Sequence, residues 1–297
     1  RLASTRHTVP MGLCSSTAKP EPPSPVETVM QMYKSFGEGD IAAILKAGGP
    51  ECVFDASDFG PNVPYRGLHK GTDAVGGFFQ SLGAAWGTTP PIAFIPSDFH
   101  VEGSVVTSKV TIRHLTPSGG VLFGVETHTW TGISDGKWAS LKVTDCGFHE
   151  AAFDPAASQP ELLCKLAWTL FGEGKTDQII ANLMGEGAVF ELFADLPEGT
   201  AVPYAGSFTE GWERPFGAMF SSWKIDDTFH FEPTSFEADG CTVVMSADID
   251  CLTAAGKNIK GTEAHTAVVA AGPTGALTIK SWVVSGSAHH AAAFDAE

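Results

Sequence analysis

Glu126 and His128 stand two residues apart in Gly124-Val125-Glu126-Thr127-His128-Thr129, inside a stretch with β character. On a strand, residues i and i+2 leave the same face, so carboxylate and imidazole are neighbours. A carboxylate beside an imidazole raises its pKa and fixes its tautomer, which is how a general acid or base is built near neutral pH. The arrangement returns 137 residues later as Gly261-Thr262-Glu263-Ala264-His265-Thr266. Strand alternation leaves two placements open for each pair: a concave pocket face, or a polar face that hydrogen-bonds across the sheet or lines a seam between the copies. Repetition fits both, since a symmetric seam keeps the pair as readily as two sites do.

The elements that must position these residues are also written twice. Ser24-Pro25-Val26-Glu27 predicts a helix start, with Ser as N-cap, Pro at the first helical position and Glu three residues on. Val26, Val29, Met30, Tyr33 and Phe36 follow at helical spacing. A short helix over 41–46, a strand over 52–55 and a third helix over 72–86 come next. Strands are predicted over 92–101, 104–115, 121–133 and 138–148, with turns at Glu102-Gly103, Ser118-Gly119-Gly120 and Asp135-Gly136. After Asp154-Pro155-Ala156-Ala157 the order repeats. Ser158 and Glu161 restore the capping box, Phe171-Gly172-Glu173-Gly174 repeats Phe36-Gly37-Glu38-Gly39, and Val202-Pro203-Tyr204 repeats Val63-Pro64-Tyr65. Ala292-Ala293-Phe294-Asp295 repeats Ala151-Ala152-Phe153-Asp154. The expected organisation is a tail at 1–23, a first repeat at 24–153, a linker at 154–157 and a second repeat at 158–297, each repeat of α+β class.

Tyr65-Arg66-Gly67, Gly71-Thr72-Asp73-Ala74-Val75, Phe78-Phe79 and Ile133-Ser134-Asp135-Gly136-Lys137-Trp138 resemble the SnoaL-like branch of the nuclear-transport-factor-2-like (NTF2-like) superfamily. The resemblance covers 24–153; the second repeat keeps Tyr204, Gly206 and Gly211 but not the Asp-Gly-Lys turn. It implies a cone-shaped α+β barrel, three helices packed in a curved antiparallel sheet around an apolar pocket. The two cones are expected to pack sheet against sheet as an intrachain pseudo-dimer, because bare sheet backs leave apolar patches in water. By the same resemblance, His128 would be the acid/base with Asp145 its partner, and Asp55 a pocket carboxylate at the end of the first strand. The second repeat has no acid matching Asp145.

Tyr33 and Tyr65 can supply phenolic donors to an oxyanion. Their plainer readings are a core aromatic for Tyr33 and loop ordering for Tyr65 and its counterpart Tyr204. Glu263 and His265 are the second repeat's pocket candidates. His149-Glu150 and His289-His290 are adjacent pairs on extended chain, which point to opposite faces and clamp a metal poorly; they read as exposed tails. No metal-ligand spacing and no phosphate-loop, dinucleotide or serine-elbow motif occurs, so no metal or nucleotide cofactor is expected.

Lys and Arg number 18 against 34 Asp and Glu, a net charge of −16, which repels nucleic acid and anionic membrane surfaces. Six scattered cysteines without zinc or disulfide spacing read as free thiols in a reducing compartment. No run is apolar enough for a membrane helix. Residues 1–23 are basic, proline-rich and free of acid before Glu21, as in an organelle presequence (plastid or mitochondrion) or an arm that grips a partner. Two functions follow as expectations. One is binding, with acid/base transformation of isomerase, cyclase or dehydratase type, of a small, largely apolar molecule. The other is a non-catalytic structural or accessory subunit of an organellar assembly held by residues 1–23.

Overall fold

A computed structural model describes residues 22–87, 91–154, 159–196, 200–273 and 275–295. The arm's residues 1–21, linker residues 155–157 and the Ser158 cap therefore lie outside the described residues. Domain 1 begins with α1 (Pro25–Gly37), where Ser24 accepts from the Glu27 amide and the Glu27 side chain returns to the Ser24 amide. It continues through α2 (Ile41–Gly48), β1 (Val53–Ala56), β2 (Gly67–Lys70), α3 (Thr72–Trp86), β3 (Ala93–Glu102), β4 (Val105–Leu115), β5 (Val121–Thr131), β6 (Ser140–Thr144) and α4 (Phe148–Phe153). Domain 2 repeats the order with α5 (Gln159–Gly172), α6 (Thr176–Asn182), β7 (Met184–Leu192), β8 (Gly206–Phe208), α7 (Glu213–Ser222), β9 (Trp223–Lys224), β10 (His230–Asp239), β11 (Thr242–Thr253), β12 (Asn258–Ala271), β13 (Leu277–Ser285) and α8 (Ala288–Phe294).

The sheets have the same topology. Domain 1 runs β2-β1-β6-β5-β4-β3, and domain 2 runs β10-β11-β12-β13-β7-β8 with β9 beside β11. Pairing is antiparallel except for β1 with β6 and β13 with β7. In β4 the inward set Val106, Val110 and Ile112 is at most 1% exposed, each such side chain contributing roughly 1.5–3 kcal/mol by burial. Register then fixes the site: Ser108 opposes His128 and Val110 opposes Glu126, so both polar residues are carried to the concave face.

Two expectations about the strands change. The last strand of domain 1 ends at Thr144 rather than Phe148, because Asp145 takes a left-handed φ of 59° and turns the chain away. The residues after it form α4, and their counterparts form α8, where an extended tail was expected.

The domains pair within the chain, but not sheet against sheet. Helix α5, whose inner side packs in its own cone, lays its other side on the back of β5. Val121 N–H donates to Gln159 Oε1 at 2.6 Å, and Arg113, on the back of β4, donates through both terminal nitrogens to the Glu173 carboxylate at 2.6 Å each. Away from that corner Val125, on the back of the first sheet, and Val244 and Val268, on the back of the second, are exposed. Arg113 is buried, and Glu173 is held near pH 2 chiefly by its bonds to that guanidinium. Glu173→Ala is expected to cost about 2 kcal/mol, the worth of charge-assisted bonds to a buried partner. Chemical denaturation should then resolve two domain transitions that are coupled in the parent.

Candidate functional site

At the centre of domain 1 the Glu126 carboxylate bridges two imidazoles. His128 Nε2 donates to Oε1 at 2.6 Å and His149 Nε2 donates to Oε2 at 2.8 Å. Glu126, His128 and His149 are 3, 5 and 1% exposed, so these bonds are made out of contact with bulk solvent. With each Nε2 hydrogen aimed at the carboxylate, each neutral ring keeps a lone pair at Nδ1, and a tyrosine meets it. Tyr33 reaches His128 Nδ1 at 3.0 Å, and Tyr65 reaches His149 Nδ1 at 2.6 Å. A tryptophan in turn donates to each phenol: Trp130 to Tyr33 at 3.1 Å and Trp86 to Tyr65 at 3.0 Å. Tyr33 has one further partner, Ser108 Oγ at 2.7 Å.

Burial alone raises the Glu126 pKa, but the two histidine bonds outweigh it and hold the carboxyl below its ordinary range. Burial pushes Tyr33 up to about 12 and Tyr65 upward as well, so both phenols stay protonated donors.

Domain 2 keeps half of this network and alters the other half. His290 Nε2 donates to Glu263 Oε1 at 2.6 Å, Tyr204 meets His290 Nδ1 at 2.7 Å, and Trp223 donates to Tyr204 at 3.0 Å. His265 Nε2 donates to the other carboxylate oxygen at 3.0 Å, but its Nδ1 accepts from the Trp282 indole at 3.1 Å. Trp168 stands where domain 1 has Tyr33, Met245 where it has Ser108, and Trp282 where it has Leu141. Larger side chains leave less space. The domain 1 cavity is about 60 Å³ and the domain 2 cavity about 30 Å³. At roughly 10–15 Å³ per water the larger holds a handful of heavy atoms. Its wall includes Phe36, Phe54, Phe79, Leu82 and Phe94 together with Tyr33 and His128.

Of the anticipated site residues, the structure brings Glu126, His128 and Tyr33 together at the domain 1 cavity, with Tyr65 one step behind through His149. Glu263, His265 and Tyr204 assemble likewise in domain 2. Asp145 and Asp55 do not join them. Asp145 lies on the outer face, exposed, its carboxylate taken by Thr127 and Lys109. Asp55 sits on β1 between the inward Phe54 and Ala56, so it points outward and accepts from Ser57, which lowers its pKa. The partner of His128 is Glu126 itself.

His149 and His290 are the residues that sequence reading missed. They are 1% and 0% exposed, not tail residues. Their signal was present, because the matched Ala-Ala-Phe-Asp segments, extended two residues toward the N-terminus, align His149 with His290.

The central carboxylates set an acid limit on the fold. A carboxyl held low in the folded state contributes stability that is full above its unfolded pKa, about 4.3. It is lost as pH falls through the folded value. Glu126 and Glu263 are both held low, so acid titration followed by tryptophan fluorescence should show unfolding between about pH 4 and pH 2. The Glu126→Gln variant should have a shallower acid limb in domain 1.

With this geometry in hand, comparison with known proteins gives the class. Domain 1 is a SnoaL-like domain: residues 29–141 match that family. Domain 2 repeats its element order, so the chain is a tandem of two NTF2-like α+β domains. Among curated proteins no sequence matches. Solved structures that resemble the chain each span one domain's worth of it. An NTF2-like protein of unknown function from Burkholderia pseudomallei is 18% identical, covering 42% of this chain and 92% of its own, with a TM-score of 0.36. An NTF2-like protein from Burkholderia thailandensis is 19% identical over 45% and 99%, with a TM-score of 0.38. TerC, crystallised with polyporic acid, is 21% identical over 40% and 90%, with a TM-score of 0.33.

Proposed function

We propose that domain 1 binds a small, largely apolar molecule in its cavity, with His128 as the base available to it, and that domain 2 is the closed copy. The observation that carries this reading is the asymmetry between the two networks. The Tyr33, His128, Glu126 and His149 polar atoms that line the cavity are already bonded, so a ligand first meets an aromatic wall and is held by shape and apolar contact. For chemistry, a ring nitrogen has to be released. Of the four central histidines only His128 is met by a hydroxyl with another acceptor to turn to, since Tyr33 can swing its proton from His128 Nδ1 to Ser108. His265 faces an indole that can only donate. A ligand bearing an acidic C–H or O–H can then give its proton to His128 Nδ1, with Glu126 stabilising the imidazolium, a step common to isomerases, cyclases and dehydratases.

Titration calorimetry with toluene as an apolar probe tests the binding. The parent should take up one molecule per chain, Leu82→Trp should abolish uptake by filling the cavity, and Trp168→Tyr in domain 2 should leave it unchanged. Equal uptake by the parent and Leu82→Trp would place the probe elsewhere and overturn the assignment.

A second reading, an accessory subunit of an assembly, is supported by the open sheet backs with Ile95, Val125, Val244 and Val268 exposed. Under it, deletion of residues 1–23 should release the chain from a partner co-purified from its source. Retention of that partner would remove the arm's role.

A further inference from the structure

Domain 2 gains a chemical group at a place where the two domains are otherwise built alike. Each seats a ring on a bare glycine of the strand that carries Glu-x-His. A Cβ on Gly124 would come within 2.4 Å of Phe148, and one on Gly261 within 2.5 Å of His289. Each ring also lies beside the bridging histidine: Phe148 and His149 have centroids 4.5 Å apart at 41°, and His289 and His290 have centroids 4.4 Å apart at 44°. The seat is conserved between the domains while its chemistry differs, so an imidazole stands where domain 1 has a phenyl ring.

That imidazole is not satisfied by the protein. His289 Nε2 is buried without a hydrogen-bond partner, and an orphaned polar atom costs roughly 1–3 kcal/mol. One ligand atom each from Glu263, His289 and His290 lies within 4.8 Å of the others. Two neutral imidazoles and a carboxylate suit a borderline divalent ion such as zinc or cobalt, and do not suit the oxygen-seeking magnesium or calcium. We propose that domain 2 holds one zinc-class cation between Glu263, His289 and His290, with water completing its coordination.

Ligand bonds of roughly 2.0–2.2 Å require the three groups to draw closer than they stand, and both histidines lie on α8, a short helix at the end of the domain. His289 is only half-buried, which gives the ion an edge to enter by. The ion takes the place of the proton between His290 Nε2 and Glu263; that proton moves to Nδ1, which then donates to the Tyr204 oxygen, and binding weakens as pH falls because a protonated imidazole cannot ligate. Other titratable groups around it are His265, which shares the Glu263 carboxylate, and Asp195, whose carboxylate accepts from the Gly286 and Ser287 amides at the start of α8. Domain 1 lacks the third ligand.

The test is a Co²⁺ titration of the full chain after chelator treatment, read by visible d–d absorption, with Zn²⁺ as competitor. The parent should take up one ion per chain. His289→Phe restores the ring that domain 1 uses, so it should keep its melting temperature without metal while losing at least about 100-fold in affinity. Phe148→His should raise the stoichiometry to two. No uptake by the parent, uptake equal in His289→Phe, or a stoichiometry unchanged in Phe148→His would each overturn the site. Equal uptake would trace the binding to surface pairs such as His100 with Glu102.

Discussion

Glu126→Ala should destabilise domain 1 by about 3–5 kcal/mol, against roughly 5–15 kcal/mol for a whole domain. The variant removes the only carboxylate between two buried imidazoles. Both Nε2 hydrogens, of His128 and His149, then lose their acceptor in the interior of the cone. Glu126→Gln keeps the volume and one accepting oxygen, but presents an amide N–H to the other imidazole, which can answer only by changing tautomer. Its cost should therefore be smaller, about 1–3 kcal/mol. Glu263→Ala should act on domain 2 in the same way, because the same bridge stands there. Urea unfolding monitored separately through domain-specific tryptophan reporters would show which domain loses its midpoint. An unchanged domain 1 midpoint in Glu126→Ala would mean that the bridge does not hold the cone together.

Gly124→Ala should be nearly as damaging for so small a change, costing about 1–3 kcal/mol by overpacking. A Cβ at residue 124 would meet the Phe148 ring at 2.4 Å, far inside contact distance. The ring cannot withdraw freely, since Phe148 precedes His149 on α4, and moving one pulls the other from Glu126. The effect should thus exceed that of an ordinary strand Gly→Ala change, which by propensity alone would be neutral or favourable. Combining Gly124→Ala with Phe148→Ala should recover part of the loss. Additive losses in the double variant would show that the two positions are not coupled.

These two predictions also show what could be read from the chain alone. Gly-x-Glu-x-His, written twice, marks the strand, the shared face and the carboxylate–imidazole pair. It could not say which face was concave, because alternation is symmetric about the sheet; that was decided by the inward Val106, Val110 and Ile112 of the neighbouring strand. Nor could it explain the glycine, whose partner lies on a helix 24 residues on. Asp145 was misplaced for a local reason: the apolar pattern of 138–148 reads as one strand, and the left-handed turn at Asp145 is invisible to periodicity. The same error hid His149, since an extended tail exposes a residue that a six-residue helix buries. The pairing of domains through α5 was illegible too, because helix and sheet back each carry an apolar surface that fits more than one partner.

The divergence between the copies is more informative than their likeness. The Tyr65, Trp86 and His149 arm recurs as Tyr204, Trp223 and His290, which is what a structural tie would do. The Tyr33, Ser108 and Trp130 arm does not recur, and it borders the larger cavity. A polar network satisfied by a tyrosine–serine relay can be reopened. One capped by indoles cannot.

Native mass spectrometry of the chain isolated gently from its source decides whether domain 1 holds a small apolar molecule. The expected spectrum shows the chain mass, 31.2 kDa for the sequence given, plus one discrete small-molecule adduct, absent when Leu82→Trp is expressed in its place. A parent chain recovered without adduct, or an adduct that Leu82→Trp retains, would contradict it.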